Sequence, residues 1–65
     1  MKIILNGAPR EVSASCLIEI LDELGYGDAR VATAVNSDFV ANTARGEIHL
    51  NEGDRLEVVA PMQGG

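Results

Sequence analysis

One stretch with the period of an α-helix constrains the fold of this 65-residue chain more than any other feature. Residues 13–27 are SASCLIEILDELGYG, and apolar side chains recur in them at the spacing i, i+3, i+4 and i+7. These side chains are Leu17, Ile20, Leu21 and Leu24. They lie on one stripe of a helix, and Gly25 directly after them predicts its C-terminus. Because such a stripe has to be buried, the rest of the chain must provide an apolar surface for it.

Short β-branched stretches before this helix predict a β-hairpin. KIIL at residues 2–5 is followed by Asn6-Gly7, which suits a type I′ turn because both residues tolerate positive φ. The return strand is expected at residues 10–12. Pro9 restricts that strand to the edge of a sheet, since proline has no backbone N–H to donate.

After the helix, the pattern predicts two to three further strands separated by polar segments. The candidate strands lie within residues 30–35 (RVATAV), 39–40, 47–50 (EIHL) and 55–60. The turns and the irregular segment between them, rich in Asn, Asp, Ser and Gly, are expected at residues 36–38, 41–46 and 51–54. Pro61 marks the expected end of sheet pairing.

The economical architecture for these elements is one helix packed across the apolar face of a mixed four- or five-stranded sheet. This is an α+β fold of the ubiquitin-like β-grasp kind. We expect it to occupy residues 1–61 as a single domain, with residues 62–65 as a flexible C-terminal tail. Tyr26 and Phe39 are the only aromatic residues, so the core is expected to be aliphatic.

The size and the charge of the chain favour a binding or carrier module over an enzyme. A chain of 65 residues buries only about 60% of the surface that its unfolded form exposes, which leaves little room for a catalytic cleft. The net charge is −5, and the five basic residues are scattered instead of forming a stripe. Nucleic acid is therefore not expected as a partner.

The use of cysteine predicts a cytoplasmic protein. Cys16 is the single cysteine, so no internal disulfide can form, which is typical of a reducing compartment. The apolar run after Lys2 is interrupted at Asn6, too early for the core of a signal peptide. No stretch approaches the length of a membrane span, and we expect no association with membranes.

No residue pattern predicts a catalytic or metal site. Cys16 is expected at the N-cap of the helix, with Glu19 three residues later as in a capping box, and not as a nucleophile. His49 has no second His or Cys at ligand spacing, so no metal is expected there. Glu52 and Asp54 provide too few oxygen ligands for calcium.

The last four residues, MQGG, offer the one group with distinctive chemistry. Residues 62–65 are expected to project beyond Pro61 as an arm, and Gly64-Gly65 would make it thin enough to thread where a Cβ would clash. A carboxylate at Gly65 is inert as an electrophile until its oxygen becomes a good leaving group, for instance by adenylation with ATP. Once activated, it can accept a sulfur or amine nucleophile. The alternative is a frayed terminus without a function.

Five motifs occur in an order that points to a known family. They are MKIILNG, the helix CLIEILDEL, VATAVN up to Asn36, LNEGDRLEVV and the terminal GG. Together they resemble the ubiquitin-like sulfur carriers, most closely the ThiS family of thiamin (thiazole) biosynthesis, over nearly the whole chain. Two departures are Ala41-Asn42, where carriers of this family often have Pro-Arg, and Cys16, where the family pattern usually has threonine.

The resemblance implies a protein that carries sulfur and has no catalytic group or bound cofactor of its own. An E1-like adenylyltransferase would use Mg-ATP to adenylate Gly65. A persulfide that originates from a cysteine desulfurase would then convert the adenylate to a thiocarboxylate, and thiazole synthase would take the sulfur. Gly64, Gln63 and Met62 would be recognised as part of the tail.

The resemblance also implies a recognition surface on the sheet, for which we expect apolar contacts from Phe39, Leu56 and Val58, with Met62 beside them. Two alternatives stay open at this point. One is the small subunit of molybdopterin synthase, which also carries sulfur on Gly-Gly. The other is a ubiquitin-like modifier that forms isopeptide bonds with lysines. A length of 65 residues favours the thiazole carrier.

Overall fold

The computed structural model describes residues 1–27 and 30–60, which form five strands, one α-helix and one 3-10 helix. In chain order these are β1 (Lys2–Leu5), β2 (Ala8–Glu11), α1 (Leu17–Glu23), β3 (Ala32–Val35), β4 (Asp38–Val40), the 3-10 helix (Asn42–Glu47) and β5 (Arg55–Val59). The predicted boundary at residue 61 and the predicted tail at residues 62–65 lie outside the described residues and stay predictions.

The five strands form one mixed sheet with the order β2-β1-β5-β3-β4. The central strand β5 is parallel to β1 and antiparallel to β3, while β1–β2 and β3–β4 are antiparallel hairpins. β2 and β3 therefore run in the same direction, and α1 makes the crossover between them. This arrangement confirms the predicted fold class of one helix on a mixed sheet.

Both hairpins turn through two residues with positive φ. Asn6 (φ 49°) and Gly7 (φ 85°) form the predicted turn between β1 and β2. Asn36 (φ 50°) and Ser37 (φ 75°) form the corresponding turn between β3 and β4 without a glycine. Pro9 lies in β2 at the sheet edge, as predicted, although this strand begins two residues earlier than expected.

The C-terminus of α1 follows the sequence prediction. Gly25 adopts φ 94°, which a glycine reaches without steric cost. Its N–H donates to the Asp22 carbonyl at 3.1 Å, and the Tyr26 N–H donates to the Leu21 carbonyl at 2.8 Å. These two bonds form a Schellman motif, which satisfies carbonyls that the end of a helix leaves without partners.

The N-terminus of α1 differs from the prediction. Cys16 occupies the N-cap position but makes no side-chain cap, so the proposed capping box with Glu19 is wrong. The Cys16 thiol lies against the carbonyl oxygens of Arg45 (3.6 Å) and Gly46 (3.4 Å), where it acts as a donor and not as an acceptor. The Leu17 N–H donates instead to the Ile48 carbonyl at 2.8 Å.

A glutamate in the last turn of α1 binds the segment that precedes the helix. The Glu23 carboxylate accepts hydrogen bonds from the backbone N–H of Ser13 at 2.8 Å and of Ala14 at 3.1 Å. These donors stabilise the charged form and lower the pKa of Glu23 from its ordinary value. The carboxylate thereby fixes the segment between β2 and α1 against the helix.

The core lies between α1 and one face of the sheet, and it is aliphatic as predicted. Its buried residues are Ile3, Leu5, Val12, Leu17, Ile20, Leu21, Val40, Leu50, Leu56 and Val58. Three of the four residues of the predicted helical stripe are buried, and Leu24 packs against the cluster at its margin. The single stripe of the helix and the single apolar face of the sheet thus cover each other.

The segment expected to be irregular, residues 41–46, is largely a 3-10 helix anchored by a buried arginine. Arg45 donates through Nε to the Thr33 hydroxyl at 3.2 Å and through Nη2 to the Val31 carbonyl. Thr33 in turn donates to the Val40 carbonyl at 3.0 Å. Each acceptor is neutral, and the network ties the 3-10 helix to β3. The stretch 47–50 forms no strand beyond a single bridge between Cys16 and His49.

Two isoleucines on α1 provide a matched test of the core. Ile20 is fully buried whereas Ile18 is 53% exposed. Ile20→Ala removes buried methyl groups and leaves a cavity, so we expect it to lower the free energy of unfolding by about 2–5 kcal/mol. Ile18→Ala should change it by no more than about 0.5 kcal/mol. Urea unfolding followed by circular dichroism measures both, and equal losses would contradict the helix orientation.

The lowered pKa of Glu23 predicts a pH-dependent contribution to stability. A depressed carboxyl pKa stabilises the folded state above the pKa of the unfolded chain, and this contribution is lost as the pH falls through the folded pKa. Glu23→Gln should therefore be less stable than wild type at neutral pH, and the difference should shrink in acid. Glu57→Gln, at an exposed site on β5, controls for the loss of one negative charge. A Glu23→Gln difference independent of pH would refute this role.

Candidate functional site

The sheet has a second face, opposite α1, and the end of β5 lies on it beside exposed side chains. Side chains alternate between the two faces along each strand, so β5 directs Leu56 and Val58 into the core and its other residues outward. We call the apolar side chains on the outward side the outer patch. It consists of Ile4, Ala32, Ala34, Phe39 and Val59.

Phe39 and Val59 dominate the outer patch because their cross-strand neighbours are small. Phe39 is 74% exposed and pairs with Ala34, whose methyl group is too short to cover an aromatic ring. Val59 is 61% exposed and pairs with Ala32. An exposed aromatic and an exposed valine on adjoining rows form a surface typical of protein contacts.

Two charged side chains on β5 lie within the outer patch. Ala34 has Glu57 as its partner on β5, and Ile4 is paired with Arg55. Both charged residues are exposed. The patch is thus apolar towards β3 and β4 and carries one charge of each sign at its centre, which gives a partner a means to select orientation.

The structure corrects two of the three predicted surface contacts. Phe39 is exposed as the prediction requires, but Leu56 (0% exposed) and Val58 (6% exposed) belong to the core, so their prediction as surface contacts is wrong. The physical reason is the period of two along β5, which sends both side chains to the face covered by α1. Val59, Ala32 and Ala34 were not predicted, and the alternation in RLEVV was the signal that could have identified Val59.

The four predicted tail residues, Met62, Gln63, Gly64 and Gly65, lie outside the described residues. What the structure does place is the strand that leads to them. β5 ends at Val59, within the outer patch, and is hydrogen-bonded between β1 and β3. The predicted reactive group and the exposed patch are therefore joined by a short length of chain.

The other chemically distinctive side chains do not converge on this face. Cys16 and His49 pair in an isolated β-bridge, which the sequence did not indicate. The thiol, however, is directed at backbone carbonyls, and the Nδ1 atom of His49 lies 3.4 Å from the Ser15 hydroxyl. Among residues 1–27 and 30–60, no three acidic, histidine or cysteine side chains gather where they could hold a metal ion. None of the helices described there has the length and apolarity needed to cross a membrane.

Comparisons with known proteins assign the chain to a family. The sequence model of the ThiS family matches residues 3–65. The sulfur carrier protein ThiS of Thermus thermophilus is 39% identical over 61 residues, which are 94% of this chain and 95% of that protein. A thiazole synthase of Paramagnetospirillum magneticum is 39% identical over 66 residues, covering 100% of this chain.

The chain spans only 20% of that thiazole synthase, and 20% of a second one, from Magnetococcus marinus, to which it is 38% identical. Among solved structures, the thiamine biosynthesis protein ThiS of Geobacter metallireducens superimposes with a TM-score of 0.83 at 28% identity, over 100% of both chains. Since the family model covers almost the whole sequence and this neighbour shares the β-grasp fold, the chain belongs to the ThiS family.

Proposed function

We propose that this protein is a sulfur carrier of thiamin biosynthesis, which carries sulfur as a thiocarboxylate on Gly65. The observation that carries the proposal is the ThiS family match over residues 3–65, which includes Gly64 and Gly65. It is supported by a relative of nearly equal length that is named a sulfur carrier protein. It is supported further by the described end of β5, which leaves a short length of chain before those glycines.

The proposed chemistry converts the Gly65 carboxylate to a thiocarboxylate in three steps. The carboxylate attacks ATP in an E1-like adenylyltransferase, forming an acyl-adenylate and releasing pyrophosphate. The terminal sulfur of a persulfide, supplied by a cysteine desulfurase, then attacks the acyl carbon and AMP leaves. A second thiol cleaves the resulting acyl disulfide, so that the donor leaves as a disulfide and Gly65 keeps the sulfur as a thiocarboxylate.

Under this proposal the chain is a co-substrate and not an enzyme. ATP and Mg²⁺ are held by the adenylyltransferase, and the carrier contributes its tail and a surface that places the tail. Thiazole synthase is the proposed acceptor, because two relatives named thiazole synthase contain a segment similar to this whole chain. The free thiol of Cys16 and the dependence on ATP favour the cytoplasm as the place of reaction.

The short distance between β5 and Gly65 favours the outer patch as the docking surface for both partners. Gly65 stands six positions after Val59, and a fully extended segment of that length spans at most about 20–22 Å. The body of the carrier must therefore dock within that distance of a partner's reactive centre. Phe39 and Val59 present apolar area beside the start of this segment.

The direct test is the intact mass of the protein after incubation with ATP, Mg²⁺, the adenylyltransferase, a cysteine desulfurase, cysteine and a thiol reductant. We expect a mass increase equal to the replacement of one oxygen by sulfur, absent when Gly65 is deleted. An isopeptide adduct to a protein lysine would identify a modifier instead. Sulfur delivery to molybdopterin synthase but not to thiazole synthase would refute the proposed acceptor.

A substitution in the tail should separate transfer from folding. We expect Gly64→Val to reduce thiocarboxylate formation by about a hundredfold, because a side chain misplaces the Gly65 carboxyl group in a narrow active site. The unfolding curve should stay that of wild type. Gly46→Ala is the control, since a Cβ at that glycine meets no atom within 4 Å. Unfolding of Gly64→Val, or full activity in it, would contradict the proposed role of the tail.

Truncation of Phe39 should weaken partner binding without affecting the fold. A buried aromatic contact at the centre of an interface costs about 2 kcal/mol when removed, which is roughly thirtyfold in Kd. We expect Phe39→Ala to show such a loss in calorimetric titration against the adenylyltransferase or thiazole synthase. Ile18→Ala, which removes an exposed apolar side chain from α1 on the other side of the molecule, should bind normally. Equal affinities of the two variants would exclude the outer patch as the docking surface.

A further inference from the structure

We propose that Asn6 is a positioning residue for the C-terminal tail, because its side chain continues the sheet beside β5 after β1 has ended. This inference rests on the proposed function, since it assigns Asn6 a part in presenting Gly65. The turn prediction accounts for the backbone of Asn6, but it gives no role to the amide.

Strand β1 is too short to pair with the whole of β5. Their parallel register comprises Ile4 with Arg55 and Leu5 with Leu56. On this side of β5, the Ile4 N–H donates to the Asp54 carbonyl and the Asn6 N–H to the Leu56 carbonyl, each at 2.9 Å. Alternate residues of β5 thus direct their backbone groups towards β1, and Val58 is the next in this series.

At Val58 a longer β1 would supply one carbonyl and one N–H, but the chain has already turned away at Asn6. The Asn6 side chain provides both groups instead. Its Oδ1 accepts the Val58 N–H at 2.9 Å, and its Nδ2 donates to the Val58 carbonyl at 3.1 Å. The primary amide has an N–H donor and a carbonyl acceptor in the arrangement of a peptide group. It therefore replaces both the N–H and the carbonyl that a backbone partner would offer to Val58.

Asn36 makes a related contact at the opposite end of β5. It has almost the same backbone conformation as Asn6 in the equivalent turn of the other hairpin. Its Oδ1 accepts the Arg55 N–H at 3.0 Å, and its Nδ2 donates to the Asp54 carboxylate at 3.2 Å. The two asparagines therefore hold the beginning and the end of the same strand, and only Asn6 acts at the end that leads to the tail.

This position gives Asn6 a specific consequence for the tail. Val58 stands three residues before Pro61 and seven before Gly65. Without the amide, the end of β5 is paired on the β3 side alone, where Val59 faces Ala32. Greater mobility of that end spreads the positions that Gly65 can occupy, and a partner has to restrict this freedom when it binds the carrier. This loss of conformational freedom weakens binding of the carrier and does not affect the chemical step, so it raises KM and leaves kcat unchanged.

The test compares Asn6→Gly with Asn36→Gly. Glycine keeps positive φ accessible, so each variant retains its turn and loses only the side-chain amide. We expect similar reductions in the free energy of unfolding, because each loses one amide that bridges to β5 or its preceding turn. Hydrogen exchange of the Val58 amide should accelerate in Asn6→Gly and stay near wild type in Asn36→Gly. The KM for the carrier in adenylation should rise about tenfold in Asn6→Gly alone, with kcat unchanged.

The outcomes distinguish this inference from the function on which it rests. Equal KM values for the two variants, or faster Val58 exchange in Asn6→Gly without a change in KM, would overturn the positioning role. If wild-type protein is never thiocarboxylated, the proposed function fails, while the exchange experiment still decides whether Asn6 secures the end of β5. Should Asn6→Gly not fold, Asn6→Asp serves in its place, because it keeps the acceptor for Val58 and loses only the donor. In Asn6→Asp the Val58 N–H keeps an acceptor, so its exchange should stay near wild type, and the KM alone is diagnostic. An Asn6→Asp protein with a wild-type KM would equally overturn the proposal.

Discussion

The pairing of β5 between β1 and β3 is the interaction on which the rest of the molecule depends. β5 comes last in the described chain but lies at the centre of the sheet, so neither hairpin is joined to the other until it is in place. Its inward side chains, Leu56 and Val58, fill the core under α1, and its outward residues form the middle of the exposed face. One strand therefore connects core packing with the proposed site of function.

The two faces of the sheet differ in their roles: the inner face packs the core, and the outer face is the proposed surface for partner recognition. The inner face is closed by α1 and by the 3-10 helix, which Arg45 ties to β3 through neutral acceptors. Within residues 1–27 and 30–60, no helix packs on the outer face, and Phe39 is exposed there because a neighbouring alanine cannot cover the ring. Stability thus comes mainly from one face, which leaves substitutions on the other free to alter recognition at little cost to folding.

Side chains stand in for backbone partners at several ends of secondary structure. Asn6 extends the sheet at Val58, Asn36 holds the start of β5, and Glu23 binds the N–H groups of the segment before α1. In each case a short element stops before all neighbouring backbone groups are paired, and a side chain supplies the missing partner. Strands of three to five residues can form a stable sheet because such contacts complete the pairing at their ends.

Local patterns in the sequence were sufficient for most of the fold. The spacing of Leu17, Ile20 and Leu21 predicted the helix, Gly25 its end, and Asn6-Gly7 the first turn, because these features depend on residues close in the chain. Pro9 correctly predicted an edge strand. The family, too, followed from the order of short motifs.

Contacts between distant residues were decided only by the tertiary structure. Arg45 is buried and Cys16 faces carbonyls of the 3-10 helix because segments far apart in sequence meet there, and no local pattern encodes that meeting. Leu56 and Val58 are core residues because α1 covers their face of the sheet, whereas Val59 is exposed because no element of the described part of the chain covers the other face. The sequence alone determined the α-helix, the approximate positions of the strands and the family that the chain resembles, but not the 3-10 helix or the absence of a strand at residues 47–50. The tertiary structure decided which face is buried and which side chains hold β5, because burial depends on what packs across the sheet and not on the strand itself.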